Sequence, residues 1–243
     1  MKKFIRHILF IILIILIIIF SSIFASGYLL YKDAITKVSI KDKITQIKEK
    51  EDFVSINDVP SNFKNAVIAV EDHRFEKHGV IDPIGISRAI FSNLQAKELK
   101  EGGSTITQQL AKNLYFASEK HVISRKIAEI LIGYDLEKNY SKNEIFELYM
   151  NTIYFGDGYY GISQASKGYL NKQPKDMNLY ECTMLAGIPN APSVYSPSVN
   201  PKLTKKRQEK VINSMVEYGY LSKEDSDNLL NTLNTCLLYT SPS

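Results

Sequence analysis

An unbroken apolar run near the N-terminus constrains this chain more than any other feature. Every residue from Ile8 to Phe20 is apolar, and the hydrophobic character continues to Leu30. Because an α-helix rises about 1.5 Å per residue, about 20 residues are needed to cross the hydrocarbon core of a bilayer. The sequence therefore predicts one transmembrane helix over residues 8–30, preceded by a short basic tail over residues 1–7.

The charges around this run predict its orientation. Lys2, Lys3 and Arg6 precede the first acidic residue, and basic residues beside a membrane span favour the cytoplasmic side. We therefore expect a single-pass protein of the cell membrane, with a cytoplasmic N-terminus and an extracytoplasmic catalytic domain. The small residues at 25–27 also allow a cleaved signal peptide, but the apolar run is long for one, which favours an uncleaved anchor.

The overall composition excludes several function classes. Lys and Arg together number 30 against 26 Asp and Glu, a balance that does not suit binding driven by bulk positive charge, so we expect no nucleic-acid partner. Cys182 and Cys236 are too far apart in the sequence for the closely spaced ligands of a structural zinc site. We therefore expect neither structural zinc nor redox chemistry.

The remainder of the chain predicts a mainly α-helical domain. Residues 31–58 are charged and partly alternating, which predicts a short strand or stalk. From Pro60 onward, apolar residues recur at helical spacing, so we expect the domain to cover residues 59–232, with an unstructured tail over 233–243. The helix start signals are Ser141 with Glu144, Ser222 with Asp225, and Asn178.

Glu71 is the first candidate for chemistry. It falls on the same apolar stripe of a predicted helix as Phe63 and Val67. Burial disfavours the charged form of a carboxylate, which suits such a group to general-base work. The alternative is a residue at a helix end, where the apolar stripe has simply stopped.

A glycine-rich segment forms the second candidate. Gly102 and Gly103 predict a tight loop, and Thr105 with Gln108 fits a capping box that opens a helix. The free N–H groups at a helix N-terminus attract anions, and Lys112 lies one turn beyond. A Gly-Gly turn before a helix is common, so this segment does not define a site by itself.

The third candidate is the pair Arg125 and Glu129, which share a helix face away from the predicted core side. The alternative is a surface ion pair, which contributes about 0.3–0.5 kcal/mol. With Glu71, the chain offers two carboxylates, which suggest glycosyl chemistry. The nearby cations suggest a phosphate leaving group, whose departure requires neutralisation of its charge.

Taken in order, these segments resemble the peptidoglycan glycosyltransferase family, which comprises the transglycosylase domain of penicillin-binding proteins and its monofunctional relatives. The string over residues 102–109, Gly-Gly-Ser-Thr-Ile-Thr-Gln-Gln, is the most specific match. The matching segments are Glu71 to Phe75 with His78 and Asp82, Gly102 to Gln109 with Lys112 and Asn113, Arg125 to Glu129, Lys142 to Gly156, and Glu181 with Leu185 to Pro197.

The resemblance implies a lysozyme-like helical fold with a smaller membrane-touching lobe at about 80–105. It also implies polymerisation of lipid II into β-1,4 glycan strands, with inversion and release of undecaprenyl pyrophosphate. Glu71 would be the base, and Glu129 would orient the donor. A divalent cation, Mg²⁺ or Mn²⁺, could assist at the pyrophosphate. The implied substrate-binding residues are Asp72, Ser104, Thr105, Gln108, Gln109, Lys112, Arg125, Lys126 and Asn151.

The implied partners are lipid II, the growing glycan strand, membrane lipid and other cell-wall synthesis proteins. Three alternatives remain open at this point. The chain could be the N-terminal part of a bifunctional penicillin-binding protein, a muralytic hydrolase of lysozyme-like fold, or a membrane-anchored scaffold that binds the wall. Intact Glu71 and Glu129 argue against the scaffold, and the cations argue against the hydrolase.

Overall fold

The computed structural model describes residues 2–96, 103–117 and 123–235. These residues form helices joined by short loops, and in this part of the chain the sole β pairing is an isolated bridge between Tyr154 and Tyr160. The prediction of a mainly α-helical protein is therefore confirmed. The helices are α1 Lys2–Lys37, α2 Ile40–Lys48, α3 Ser61–Glu71, α4 Pro83–Ala96, α5 Ile106–Tyr115, α6 Ile123–Asn139, α7 Lys142–Thr152, α8 Gly161–Leu170, α9 Leu179–Gly187, α10 Pro192–Tyr195, α11 Pro201–Glu217 and α12 Lys223–Thr235.

Helix α1 is long and apolar enough to cross a membrane, with a mean hydropathy of 3.4 in its most apolar window. Its apolar side chains from Phe4 to Phe20 are largely exposed, which fits a single-pass membrane anchor. The helix runs beyond the predicted span as far as Lys37. Its later part packs against α6, so the anchor continues into the folded domain without a break.

The structure has a helix where the sequence predicts a strand or stalk. Ser39 caps α2 by accepting a hydrogen bond from the backbone N–H of Asp42. Ile44 and Ile47 are buried in the main core. The two isoleucines are three residues apart, which places them on one helix face. The domain therefore begins before residue 59, because α2 already contributes to its core.

The predicted helix starts at Ser141 and Asn178 are confirmed as capping boxes, and Ser222 accepts a hydrogen bond from the backbone N–H of Asp225 at the start of α12. The core joins two packed groups of helices. Helix α3 packs against α9 and α11, and α5 packs against α6 and α7. The ends of α3, α5, α6 and α11 thereby meet around one cleft.

Two further predicted segments lie partly outside the described residues. In the smaller lobe, α4 exposes Ile84, Phe91 and Leu94, as a membrane-touching surface would, while residues 97–102 are outside the described range. At the C-terminus, α12 extends to Thr235 and buries Leu233, so the predicted unstructured tail begins within a helix. Residues 236–243 are outside the described range.

Candidate active site

Residues from all three candidate segments line one cleft of about 550 Å³. Glu71 comes from the end of α3, Lys112 from α5, and Arg125 and Glu129 from α6. The sequence-predicted residues that line this cleft are Glu71, Ser104, Gln108, Gln109, Lys112, Arg125, Lys126 and Glu129. Asp72, Thr105 and Asn151 are not among the residues that line it.

Glu71 is held by an arginine that sequence reasoning missed. The Glu71 side chain is 8% exposed, and its Oε1 lies 2.8 Å from Nη2 of Arg207 in α11. Its Oε2 accepts a hydrogen bond of 3.2 Å from Gln109 Nε2. A buried charge is costly unless it is paired. Arg207 and Gln109 therefore fix the position of the Glu71 carboxylate in the cleft.

Arg207 is itself fixed in place. Its Nε donates a hydrogen bond of 3.2 Å to the carbonyl oxygen of Gly187 at the end of α9. No local motif marks this residue, because it lies 136 positions from Glu71 in the sequence. The signal that could have pointed to it is a basic residue among apolar residues at helical spacing in the segment that forms α11.

Glu129 anchors a cationic cluster at another part of the cleft, consisting of Lys112, Arg125 and Lys126. Glu129 Oε1 lies 2.9 Å from Arg125 Nε, and Oε2 lies 3.3 Å from Lys126 Nζ. The Glu129 side chain is 3% exposed and that of Arg125 is 10% exposed. The pair is therefore buried in the cleft, which contradicts the alternative of a surface ion pair.

The cationic cluster carries three positive charges against the single carboxylate of Glu129. Lys126 Nζ also donates a hydrogen bond of 2.8 Å to Ser104 Oγ. Burial lowers the pKa of Lys126, the negative charge of Glu129 opposes this, and the positive charges of Arg125 and Lys112 add to the lowering. Binding of an anion stabilises the charged form of a cation that neighbouring positive charges destabilise. This part of the cleft therefore suits a phosphate group.

The N-terminus of α5 is not an open anion site. Thr105 accepts a hydrogen bond from the backbone N–H of Gln108, while Asp72 Oδ2 accepts one of 3.1 Å from the backbone N–H of Ile106. The Gln108 side chain donates to the carbonyl oxygen of Val80 instead of closing a capping box. The chain's own Asp72 therefore occupies the position predicted for a ligand. Asp72 and Thr105 hold the start of α5.

Asp72 also contacts His78, whose Nε2 lies 2.7 Å from Asp72 Oδ1. Burial opposes the charged form of His78, but the hydrogen bond and the charge of Asp72 outweigh it and raise the pKa of His78 above its usual 6.5. Protonated His78 therefore stabilises the fold fully below pH 6.5, and this contribution is lost as pH rises through the raised pKa.

We expect this contribution to appear in a comparison of the protein with its His78→Gln variant. The difference in their free energies of unfolding should shrink as pH rises above 6.5, as measured by chemical denaturation in detergent at a series of pH values. His73 provides a control of opposite sign, because burial and Arg88 lower its pKa. The difference in free energy of unfolding between the protein and its His73→Gln variant should grow with pH. A difference for His78→Gln that is independent of pH would contradict the stabilising role of protonated His78.

Asn151 has a structural role rather than a place in the cleft. Its Nδ2 donates to the carbonyl oxygens of Val54 and Glu147, and its Oδ1 accepts from the backbone N–H of Val54. These bonds fasten the segment after α2 to α7. Both hydrogens of the amide are used in these bonds and Asn151 does not line the cleft, so substrate binding by Asn151 stays a prediction from the resemblance.

Replacing Asn151 by alanine should therefore reduce stability. Asn151→Ala leaves the part-buried N–H and carbonyl groups of Val54 without these partners, and loss of a partner typically costs about 1–3 kcal/mol for a fully buried group. Exposed Asn143 on the same helix is a matched control, and Asn143→Ala should have a much smaller effect. Denaturant melts of both variants measure this, and equal stability of the two would contradict the structural role.

The cationic cluster does not offer the set of oxygen ligands that Mg²⁺ or Mn²⁺ prefers. Both metals favour several oxygen ligands, whereas Glu129 is the carboxylate within the cationic cluster and both of its oxygens face cations. A second group, Asp72, His78 and Asp82, has ligand atoms within 4.8 Å of one another. Its atoms already bond to one another, to Arg74 and to backbone N–H groups. The ligand atoms of both groups are therefore engaged in contacts within the protein.

An α-helical domain with one arginine-paired carboxylate and one cation-rich carboxylate in a shared cleft has the layout of an enzyme that acts on an anionic substrate. Comparison with known proteins identifies the enzyme family within this class. The model of the transglycosylase family matches residues 40–216, which include α2. The chain therefore belongs to the transglycosylase family, and the resemblance seen in the sequence is confirmed.

Two curated relatives agree with this assignment. The chain is 43% identical over 202 residues to penicillin-binding protein 1A of Neisseria lactamica, covering 82% of this chain and 25% of that protein. It is 44% identical over 178 residues to penicillin-binding protein 1F of Bacillus subtilis (strain 168), covering 73% and 25%. A crystal structure of penicillin-binding protein 1A from Haemophilus influenzae matches 79% of this chain and 17% of that chain, with 22% identity and a TM-score of 0.44. The chain spans about a quarter of the length of these curated relatives.

Proposed function

We propose that this chain is a membrane-anchored peptidoglycan glycosyltransferase that polymerises lipid II into β-1,4 glycan strands and releases undecaprenyl pyrophosphate. The observation that carries the proposal is the presence of Glu71 and the cationic cluster in one cleft. A glycosyl transfer from a pyrophosphate donor needs a base at the acceptor and positive charge at the leaving group. Glu71 and the cationic cluster suit these two tasks, which supports the proposal.

In the proposed reaction, Glu71 accepts the proton of the acceptor 4-hydroxyl group. The acceptor oxygen then bonds to C1 of the donor sugar while the bond from C1 to the pyrophosphate oxygen breaks. The electron pair leaves with the pyrophosphate. Because attack and departure occur on opposite faces, the configuration at C1 is inverted in a single displacement, with no covalent glycosyl-enzyme.

The cationic cluster has the complementary task of holding the donor pyrophosphate. Lys112, Arg125 and Lys126 face the cleft from two helices and would neutralise the charge that develops on the leaving group. Glu129 keeps Arg125 and Lys126 in position through its two carboxylate oxygens. Its role in this proposal is therefore to orient the cations.

The anchor supports the same assignment, because a donor with a long isoprenoid tail remains in the bilayer. The basic residues before α1 favour a cytoplasmic N-terminus, which would place the domain at the outer face of the cell membrane. There it would meet lipid II and the growing glycan strand. Partnership with other cell-wall synthesis proteins belongs to the same proposal.

The decisive experiment incubates the detergent-solubilised protein with labelled lipid II and separates the products on a gel. We expect a ladder of glycan polymer that a muramidase digests, together with released undecaprenyl pyrophosphate. Absence of polymer under conditions where the protein is folded would overturn the proposal. Release of soluble muropeptides from preformed walls would instead identify a hydrolase.

A further inference from the structure

The contact between α1 and α6 is unusually close at Gly27. Gly27 is buried, while its neighbours Ser26 and Tyr28 on α1 are exposed. A Cβ atom at Gly27 would lie 2.5 Å from Ile127 Cβ and 2.8 Å from the carbonyl oxygen of Ser124. No side chain fits at such distances, so the two helices meet here because residue 27 is glycine.

A second contact fixes the direction of the two helices. The hydroxyl group of Tyr31 donates a hydrogen bond of 2.6 Å to Asp135 Oδ2. Residue 27 thus meets residue 127, and residue 31 meets residue 135, so the helices run in the same direction. The N-terminal end of α6 therefore faces the end of α1 that enters the bilayer. Two contacts of this kind fix both the height and the rotation of the domain on its anchor.

Helix α6 also carries part of the active site. Arg125 and Glu129 flank Ile127 in the sequence, and both line the cleft. Because they lie within one helical turn of Ile127, a shift of α6 against α1 would carry them along. The position of the anchor is thereby coupled to the position of the cationic cluster.

The length of α1 places this contact near the membrane surface. About 20 residues span the hydrocarbon core, so a span that starts at Ile8, where the predicted anchor begins, ends near Gly27. Gly27 then lies at the edge of the hydrocarbon core, beside the lipid headgroups. The pyrophosphate of a lipid-linked donor lies at this same level.

We propose that Gly27 is a positioning residue that docks α1 against α6 and holds the cationic cluster at the height of the lipid-bound pyrophosphate. The anchor then acts as a rigid spacer and not as a flexible tether. The link to turnover rests on the proposed function, whereas the docking itself does not.

Gly27→Val tests the docking, with Ala25→Val as the matched control, because Ala25 is exposed on the same helix. A second variant inserts a flexible Gly-Ser segment of six residues after Leu30, which keeps the tether but breaks the rigid connection between the span and the domain. The chain contains no tryptophan, so Ile123→Trp, at a position 69% exposed at the start of α6, gives a single reporter in each background.

Quenching of this tryptophan by bromolipids in vesicles measures its depth without any reference to activity. We expect strong quenching by shallow bromines in the Ile123→Trp protein and with added Ala25→Val. Quenching should be clearly weaker with Gly27→Val and with the inserted segment. Equal quenching in all four proteins would overturn the docking, whatever reaction the protein catalyses.

The effect of the docking on catalysis is tested by measuring turnover of the same variants without the Ile123→Trp substitution. On lipid II embedded in bilayers, Gly27→Val and the insertion should each lower turnover about 10- to 100-fold, as small misplacements of reacting groups do. On a short-chain soluble analogue, both variants should match the unaltered protein, which also shows that they fold. Unaltered turnover of the insertion variant on bilayer lipid II would overturn the positioning role. Failure of the unaltered protein on both substrates would instead count against the proposed function.

Discussion

Replacement of Glu71 by glutamine is expected to abolish glycan polymerisation. Glutamine keeps the size of the side chain and one of the two acceptor atoms that contact Arg207 and Gln109, but it cannot accept the proton of the acceptor hydroxyl group. Loss of a general base typically lowers turnover about 10²- to 10⁴-fold. The rate of polymer formation from labelled lipid II measures this, and binding of lipid II by the variant should be largely retained.

The matched control is Glu76→Gln. Glu76 is 46% exposed and pairs with Lys64 at the surface, so its replacement should leave polymerisation close to that of the unaltered protein. Loss of a base should leave at most about a hundredth of the normal turnover. If Glu71→Gln retained more than about a tenth, Glu71 could not be the base. The assignment of the cleft would then need another proton acceptor.

Removal of cations from the cleft is expected to have the second large effect. Lys112→Ala and Arg125→Ala each remove a positive charge from the cationic cluster, and loss of one such group from a preorganised site typically costs about 10²- to 10³-fold in turnover. The effect should fall on kcat, because the leaving group gains charge in the transition state. Steady-state kinetics with lipid II measure kcat and KM separately.

The two variants differ in what they do to the fold. Arg125→Ala leaves buried Glu129 with one partner fewer, so it should also lower stability. Lys112 has a more accessible position, so Lys112→Ala should lower kcat with little loss of stability. Lys138, exposed near the end of α6, is the control, and Lys138→Ala should change neither. Normal polymerisation by both cleft variants would contradict the role of the cations.

Sequence reasoning succeeds here where the signal is local. The capping box at Ser141 depends on residues three positions apart, and it forms; the helix start at Asn178 is confirmed as well. Helical periodicity likewise predicts the mainly α-helical domain. The three candidate segments also meet in one cleft, although their roles in catalysis stay predictions.

What the sequence does not show depends on contacts between distant segments. The pairing of Arg207 with Glu71 forms only when α11 packs on α3. The use of Asp72 to fill the N-terminus of α5 also depends on tertiary packing, and it displaces the anion site that local reasoning predicts. Asn151 fits a binding motif, but its amide is used to secure the backbone at Val54. Local patterns do not specify which polar partner a side chain meets.

The pairing of Glu71 with Arg207 also has a consequence for biosynthesis. A polypeptide is made from its N-terminus, so Glu71 leaves the ribosome well before its counter-charge, which follows 136 residues later. We expect the nascent chain to stay inert while it is still being exported, because the cleft around Glu71 is incomplete until α11 packs on α3. Chains arrested before residue 201 should therefore fail to polymerise lipid II, and competence should arise only when α11 has emerged and packed.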